Sequence, residues 1–111
     1  MKNKHIDGDK ISKDSAKAFD WYLKAAERGQ VDAQFDLGMC YATGDGVTQD
    51  LTKAAEWYRK AAEQGCADAQ YSLGWCYEYG AGVIPDFIKA AEWFQKAAEQ
   101  GDSEAQRKLQ D

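Results

Sequence analysis

Three cysteines and one histidine are the residues whose chemistry could support catalysis or metal binding in this 111-residue chain. They are Cys40, Cys66, Cys76 and His5. A thiolate beside an imidazole can act as a nucleophile, and Cys and His side chains bind zinc at about 2.0–2.3 Å. The sequence has no Cys-x-x-Cys or His-x-x-x-His spacing, and its one histidine lies near the N-terminus. We therefore predict no metal, no cofactor and no catalytic residue, and we expect buried free thiols.

Two glycine-rich segments are the other candidates for chemistry. Residues 44–47, Gly-Asp-Gly-Val, recur as residues 80–83, Gly-Ala-Gly-Val, and each segment precedes a predicted helix. A glycine loop before a helix can bind phosphate, but a P-loop also needs a preceding strand and a Lys-Ser/Thr pair. Because both are missing here, we interpret the two segments as turns between helices, with the first glycine ending a helix.

Both glycine segments belong to a repeat of 36 residues. Residues 53–65 are similar to residues 17–29 and 89–101, at an offset of 36 each time. When residues 29–64 are aligned with residues 65–100, 22 of the 36 positions are identical. A fixed period of this length predicts an array of units that share a strip of core between neighbours.

The first half of each repeat has the pattern of an amphipathic helix, helix A, at residues 31–43 and 67–79. Leu37, Gly38 and Tyr41 lie on one face, and the same residue types recur 36 residues later. A glycine inside a helix costs about 0.5–1 kcal/mol relative to alanine. Its recurrence predicts that a neighbouring helix approaches the backbone closely at this position.

The second half of each repeat predicts another helix, helix B, at residues 50–64 and 86–100. Apolar residues at i, i+3, i+4, i+7 and i+8 form one stripe, and an aspartate stands at each N-cap position. The stripe includes one tryptophan in every copy. We predict a core position for all three of them, Trp21, Trp57 and Trp93.

The chain is predicted to form a single domain over residues 1–111. Its parts are a partial first repeat (1–29), two repeats (30–65 and 66–101) and a C-terminal capping helix (102–111). In the first repeat we expect a helix B over residues 14–28, preceded by a loop that begins near Gly8. Residues 1–7 then form a remnant of helix A that is too short to persist, so this end of the array is uncapped.

Composition and charge argue against several classes of partner. The formal net charge is −5, which disfavours binding to nucleic acid and to anionic membrane surfaces. Residues 1–10 are polar and lack the apolar stretch of a signal peptide. No apolar run approaches the roughly 20 residues that span a bilayer. A basic or apolar polypeptide partner remains compatible with the composition.

The repeated motif resembles a known family. It reads Leu-Gly-x-x-Tyr-x-x-Gly-x-Gly-Val over residues 37–47 and Lys-Ala-Ala-Glu-Gln-Gly over residues 60–65, and it is similar to the Sel-one-like repeat, a relative of the tetratricopeptide repeat. The resemblance covers about residues 8–109. It implies an all-α fold, a right-handed α/α superhelix of 36-residue helix-turn-helix repeats with about six helices. It also implies a concave face lined by helices A and a role as adaptor or scaffold in signalling, protein quality control or bacterium–host interaction.

The cysteines depart from the disulfide-rich secreted branch of that family, which has two cysteines in each helix pair. Here Cys40 and Cys76 provide one per unit, and Cys66 has no counterpart. Cys66 and Cys76 are separated by about 15 Å along one predicted helix, which is too far for a disulfide. The odd number of cysteines agrees with free thiols in a reducing compartment, so we expect a cytoplasmic location.

The resemblance also implies a candidate groove, because tetratricopeptide units bind partners through helix-A positions that flank the core. Carried over to this chain, these positions are Asp32, Phe35, Met39, Asp68, Tyr71, Trp75, Glu78 and Arg107, together with Ala42 and Glu104. Three of these positions differ between the two units, 35 from 71, 39 from 75 and 42 from 78, while core positions are retained, which favours a partner-specific surface. Two alternatives stay open. The aromatic and methionine side chains can pack between adjacent helices A, and the first-turn carboxylates can stabilise the helix dipole.

The favoured function is an interaction module that binds a protein or peptide segment with apolar and basic side chains in this groove. The alternative is a homodimer that forms through the uncapped N-terminal end, where Ala18, Phe19 and Tyr22 would be exposed. A small-molecule hydrolase, suggested for some solenoids of the family, is disfavoured because the chain lacks a nucleophile–base pair. We therefore expect that the protein is not an enzyme.

Overall fold

The computed structural model describes the backbone of residues 2–110 and the side chains of residues 14–110. Within that part it contains six α-helices and no β-strand, as the sequence predicts. The helices are α1 (Lys2–Glu27), α2 (Val31–Thr43), α3 (Leu51–Glu63), α4 (Ala67–Tyr79), α5 (Phe87–Glu99) and α6 (Ser103–Gln110). Each helix packs against the next one along the chain, which is the arrangement of an α-solenoid.

The helices A, α2 and α4, have the bounds that the sequence predicts. Each ends at the first glycine of a loop. The N–H of Gly44 donates to the carbonyl of Cys40, and the N–H of Gly80 donates to the carbonyl of Cys76. These bonds satisfy two of the carbonyl groups that a helix end leaves without an intrahelical partner.

The helices B, α3 and α5, begin one residue after the predicted start, because an aspartate caps each of them. Oδ1 of Asp50 accepts a hydrogen bond from the backbone N–H of Lys53, and Oδ1 of Asp86 accepts one from Lys89, both at 3.0 Å. An N-cap aspartate satisfies a backbone donor that has no partner within the helix. The predicted N-caps are therefore confirmed.

The core is a strip of small residues around the two largest fully buried side chains, Leu37 and Leu73. Alanines of the helices B pack there against the glycine of each helix A. A methyl group at Gly74 would lie 2.8 Å from the ring of Phe94, and the counterpart of this contact joins Gly38 to Tyr58. The predicted close approach is confirmed, and the neighbour is helix B of the same unit.

The glycine loop of each unit rests on the helix B of the unit before it. A methyl group at Gly82 would overlap the carbonyl of Leu51, and one at Gly46 would overlap the carbonyl of Ser15. Both glycines have positive φ, 75° and 78° respectively. Contact between successive units at this point is therefore made by backbone against backbone.

Buried glutamines join three consecutive helices. Gln34 Nε2 donates to the carbonyl of Ala26 at the end of α1, and Nε2 of Gln64, the C-cap of α3, donates to Gln34 Oε1. The pattern recurs one unit later, where Gln70 bonds the carbonyl of Ala62 and accepts from Gln100. One bond of the pattern recurs a third time, between the exposed Gln106 and the carbonyl of Ala98.

The first helix differs from the prediction. We expected a loop near Gly8 and a helix B that starts at residue 14, whereas α1 is continuous from Lys2 to Glu27. The reason lies in the loop motif. Lys10 stands where Gly46 has positive φ, and a lysine strongly disfavours that conformation. Met1 of the predicted remnant lies outside the described residues.

The tryptophans differ from one another in burial. Trp57 and Trp93 are partly buried and pack against the core. Trp21, which we predicted to be in the core, is 74% exposed. The helices that carry Trp57 and Trp93 are each preceded in the array by the helix B of another unit. No described helix precedes α1, which carries Trp21. The prediction for Trp21 is therefore wrong.

Candidate protein-binding groove

Three cavities related by the 36-residue repeat lie along the helices A, and each is walled by a helix B and the helix A that follows it. We call them the N-terminal, central and C-terminal cavities, and their row the groove. Each has an aromatic ring from helix B as one wall, contributed in turn by Tyr22, Tyr58 and Phe94. Each also has one residue from the same position of helix A: Asp36, Ser72 or Lys108.

The central cavity is mainly apolar and has a volume of about 250 Å³. Its walls include Leu51, Ala54 and Tyr58 of α3 and Ser72, Trp75 and Cys76 of α4. Burial raises the pKa of Tyr58 to about 12 and that of Cys76 to about 11, so both are neutral at physiological pH. An uncharged cavity of this size can accept an aromatic ring, since one of about 150 Å³ accepts benzene.

The N-terminal cavity is acidic. Asp36 and Asp45 lie in its wall beside Tyr22, Met39 and Cys40. Burial, followed by the negative charge of a neighbouring aspartate at position 32, raises the pKa of Asp36. Within residues 14–110 the ion pairs are formed by other side chains, Lys24 with Asp20 and Lys108 with Glu78. The cavity therefore presents negative charge that no lysine or arginine within that range neutralises at close distance.

The C-terminal cavity contains a cation supplied by the chain. Lys108 Nζ lies 2.7 Å from Glu78 Oε1 and 5.6 Å from the ring centroids of both Tyr79 and Phe94. The carboxylate of Glu78 raises the pKa of Lys108, which keeps its ammonium group protonated. An ammonium between a carboxylate and two aromatic faces is held by ionic and cation–π attraction together.

Four of the predicted groove residues line these cavities. Tyr71 and Trp75 lie in the wall of the central cavity, Met39 in that of the N-terminal cavity and Glu78 in that of the C-terminal cavity. Trp75 is 43% exposed and Met39 is 44% exposed. A tryptophan that borders an apolar cavity and remains accessible has the character of an interface residue.

The other predicted residues line none of the three cavities. Phe35 is partly buried and packs against Tyr58, with ring centroids 5.8 Å apart. Asp32 and Asp68 are exposed in the first turns of α2 and α4, and Arg107 is exposed in the last turn of α6. Of the positions named beside these, Ala42 borders the central cavity and Glu104 is exposed.

Tyr71 both packs against a neighbouring helix and lines the groove, although these two roles were predicted as alternatives. Its ring packs against Phe94 with centroids 5.5 Å apart, while its side chain borders the central cavity. Burial raises the pKa of Tyr71, and the carboxylate of Glu104 raises it further. Tyr71 therefore contributes both to packing and to the cavity wall.

The position shared by Asp36, Ser72 and Lys108 is absent from the predicted groove. Its signal in the sequence is the exchange of an acid, a neutral residue and a base at an offset of 36. The prediction follows the positions used by tetratricopeptide units, which do not include this one. A comparison of all three helices A, position by position, would have identified it.

The expected exposure at the N-terminal end is also different in the structure. Ala18, Phe19 and Tyr22 are partly buried, because α2 packs against this side of α1. Phe19 meets Tyr41 edge to face with ring centroids 5.3 Å apart. The exposed aromatic residue of α1 is instead Trp21.

The thiols of the chain do not form a reactive or metal-binding group in the described residues. All three cysteines are free, with Cys40 and Cys76 buried and Cys66 partly buried. Burial raises the pKa of Cys40, and the nearby carboxylates of Asp45 and Asp36 add to the effect. The residues searched contain no group of three or more His, Cys, Asp and Glu that fits a metal ion. The side chain of His5 lies outside the described ones.

None of the described helices combines the length and the apolar character needed to cross a bilayer.

The family model of the Sel1 repeat matches residues 5–30, 31–66 and 67–102. Among solved structures, c5321, a protective antigen of uropathogenic Escherichia coli with an SLR fold, has a TM-score of 0.84 and 45% identity. That match covers 85% of this chain and 20% of the antigen, so the chain spans about one fifth of that protein. The comparison with curated protein sequences finds no match.

Two further structures are similar over most of the chain. A Sel1 repeat protein from Oxalobacter formigenes is 48% identical with a TM-score of 0.80, covering 81% of this chain and 68% of its own. Cysteine-rich protein B of Helicobacter pylori is 33% identical with a TM-score of 0.75, covering 78% of this chain and 65% of its own.

Proposed function

The chain belongs to the Sel1 repeat family, and on this premise we propose that its groove binds a segment of another protein. Sel1 repeat proteins generally mediate protein–protein interaction and are typically non-enzymatic modules. The observation that carries the proposal is the central cavity, an apolar space of about 250 Å³ bordered by the accessible Trp75. A buried apolar anchor beside an exposed aromatic side chain is how many peptide-binding surfaces obtain their affinity.

The chemistry of the groove favours a partner segment with both apolar and basic side chains. The central cavity offers uncharged walls, whereas the N-terminal cavity offers the carboxylates of Asp36 and Asp45. The net charge of −5 adds a longer-range attraction for a basic segment. The same charge disfavours nucleic acid and anionic membrane surfaces as partners.

A peptide-display selection tests this proposal. Random peptides are selected on the wild-type protein, and their affinities are then measured for Trp75→Ala and for the matched control Trp21→Ala. Both tryptophans are exposed, but of the two it is Trp75 that lines one of the three cavities of the groove. Selected peptides are expected to lose affinity for Trp75→Ala and to keep it for Trp21→Ala. Peptides that bind both variants as well as the wild type would place recognition elsewhere.

Self-association is a second candidate, favoured by exposed apolar side chains on α1 and around the start of α5. Trp21 on α1 and Phe87 and Ile88 at the start of α5 are each 74% exposed, and Ile84 is 85% exposed. Exposed apolar clusters of this kind often mark contacts between protein chains. Sedimentation velocity over a hundredfold range of concentration checks this candidate. A monomer throughout the range excludes it, and a dimer that Phe87→Lys dissociates supports it.

A further inference from the structure

We propose that one position of helix A, occupied by Asp36, Ser72 and Lys108, determines what each cavity of the groove accepts. In this arrangement the central cavity takes a large apolar side chain and the N-terminal cavity takes a lysine or arginine. The C-terminal cavity already carries a cation of the chain itself, Lys108. The inference rests on the proposed function and specifies the partner: a segment with an apolar anchor and a basic residue on its N-terminal-cavity side.

The three cavities are the same place in three successive units. Their rings, Tyr22, Tyr58 and Phe94, are related by the repeat, and so are the residues at the shared position. The fold around each cavity is therefore alike, while the side chain at the shared position changes from acidic to neutral to basic. A difference in what the cavities accept then follows mainly from that side chain.

The C-terminal cavity shows within the chain how this surface binds a cation. Lys108 Nζ is 2.7 Å from a carboxylate oxygen of Glu78 and 5.6 Å from the ring centroid of Phe94. Lys108 and Glu78 are each only about one quarter exposed, at 27% and 26%. A helix-A lysine thus lies in the wall of a cavity with an aromatic ring and pairs with the carboxylate of that cavity.

The central cavity is uncharged because a small neutral residue stands in the place of that lysine. Ser72 is the counterpart of Lys108, and Ala42 is the counterpart of Glu78, so neither the cation nor its carboxylate is present. What remains is an apolar space of about 250 Å³ beneath Trp75 and beside Tyr58. Such a space gains most from an aromatic or large aliphatic side chain, which removes apolar surface from water on both sides.

The N-terminal cavity has the opposite charge to the C-terminal one. Asp36 stands at the shared position, Asp45 adds a second carboxylate, and Tyr22 supplies the ring that Phe94 supplies in the C-terminal cavity. A lysine or arginine from a partner would meet carboxylate and aromatic groups as Lys108 does within the chain. Arginine is the better fit of the two, since it binds two carboxylates and stacks on a ring.

Exchange of residues among the three units gives variants that the fold already accommodates. Ser72→Lys introduces into the central cavity the residue that supplies the cation of the C-terminal one. Ser72→Asp introduces the residue of the N-terminal cavity. Asp36→Ser makes the N-terminal cavity resemble the central one. The matched controls, Gln95→Lys and Asp14→Ser, make similar changes at exposed sites outside the groove.

The probes are synthetic nonapeptides with one phenylalanine at the centre and alanine elsewhere, and a second set in which a single arginine occupies each other position in turn. Binding is measured by isothermal calorimetry or by NMR shifts, and folding of every variant is checked by circular dichroism. The phenylalanine peptide is expected to bind the wild type and Gln95→Lys. Ser72→Lys should weaken it by about tenfold or more, the effect of losing one buried apolar side chain.

Arginine on one side of the phenylalanine is expected to strengthen binding by roughly threefold to tenfold, as partly buried ion pairs do. Asp36→Ser should abolish this gain, and Asp14→Ser should keep it. Salt should reduce the gain, because the attraction is between charges. Ser72→Asp should bind a peptide with arginine in place of phenylalanine better than the wild type does, which tests the assignment independently of Ser72→Lys.

The outcomes separate this inference from the proposed function. If peptides of either set bind and Ser72→Lys binds them equally well, the assignment of the central cavity is wrong while peptide binding stands. The assignment of the N-terminal cavity is wrong if arginine increases peptide affinity equally at all positions. It is also wrong if the increase is unchanged in the Asp36→Ser variant. Failure of every peptide to bind the wild type at millimolar concentration overturns the inference and counts against the proposed function.

Discussion

Gln64 Nε2 lies 2.6 Å from Gln34 Oε1 and donates a hydrogen bond to it across the interior of the solenoid. Gln34 in turn donates to the carbonyl of Ala26, so one amide side chain joins the end of the previous helix B to the helix B of its own unit. Gln34 is 6% exposed and its counterpart Gln70 is 5% exposed. A buried amide with all its partners present fixes helix positions, and one without them is costly.

Gln70→Leu is therefore expected to destabilise the protein although leucine is apolar and of similar size. The carbonyl of Ala62 would lose one of its donors and the amide of Gln100 one of its acceptors, and the loss of these two hydrogen bonds costs about 1–3 kcal/mol. Urea denaturation followed by circular dichroism measures the change. Gln95→Leu, at an exposed site on α5, is the control. Equal unfolding free energies for the two variants would mean that the buried network contributes nothing.

Gly74→Ala is expected to destabilise although alanine is the better helix former. Its methyl group would lie 2.8 Å from the ring of Phe94, and the overpacking costs about 1–3 kcal/mol. Phe94→Leu removes the clash, so Gly74→Ala should cost less in that background. A thermodynamic cycle of the two single variants and the double variant measures the coupling. Stabilisation by Gly74→Ala in the otherwise unchanged protein would contradict the close packing described for this helix pair.

The three thiols are expected to react at very different rates with a thiol-specific disulfide reagent at pH 8. Cys40 and Cys76 are buried and have raised pKa values, that of Cys76 reaching about 11, so little thiolate forms. Cys66 is partly accessible at the N-cap of α4. Mass spectrometry should therefore find one modified cysteine in the folded protein and three after denaturation. Rapid modification of Cys76 without unfolding would contradict its placement in the cavity wall.

Stability is expected to fall in alkaline solution. The pKa of Cys76 rises from 9.0 to about 11 on folding and that of Tyr58 from 10.0 to about 12, both chiefly because of burial. The unfolded chain therefore releases these protons first as pH rises. The free energy of unfolding is unaffected by these groups below about pH 9 and declines between about pH 9 and pH 12. Above about pH 12 these groups cause no further decline.

Tyr58→Phe isolates one part of this alkaline loss. Phenylalanine already occupies the counterpart position, Phe94, so the substitution is compatible with the packing. The decline in unfolding free energy between pH 10 and pH 12 should be smaller in the variant than in the wild type. Unfolding in urea at several pH values measures it. Identical slopes in both proteins would mean that the Tyr58 hydroxyl is not the group responsible.

The repeat made most of the fold predictable. Because α2 and α4 carry the same core residues, comparing the two copies fixed both helices A at their observed bounds. The same comparison was misleading at the first unit. There, Gly8 predicts a loop because it matches the first glycine of the motif, but Lys10 stands in the place of the second glycine. The chain continues through both residues as helix α1. The turn needs positive φ at its second glycine, so a motif in which lysine replaces that glycine no longer specifies the turn.

The candidate groove was less predictable, because it depends on contacts between units. Trp75 and Met39 could be identified from their variation between copies, and both border cavities. The roles of Gln34 and Ser72 could not be inferred from one helix pattern, since each depends on a neighbouring unit. Gln34 looks like an ordinary polar helix residue until the end of α1 is placed beside it. Only its recurrence as Gln70 and Gln106 hints at a buried role.

The contact of Gly82 with the carbonyl of Leu51 has a consequence for how such arrays can grow. Since backbone meets backbone there, the interval between neighbouring units does not depend on which side chains line the cavities. A duplication of residues 66–101 would therefore add one more cavity at the same spacing, ready to diverge by single substitutions. Recombination within the gene would in this way add one cavity, and so one side chain, to the segment that the groove is proposed to bind. A protein engineer could assemble units with chosen cavities in any order.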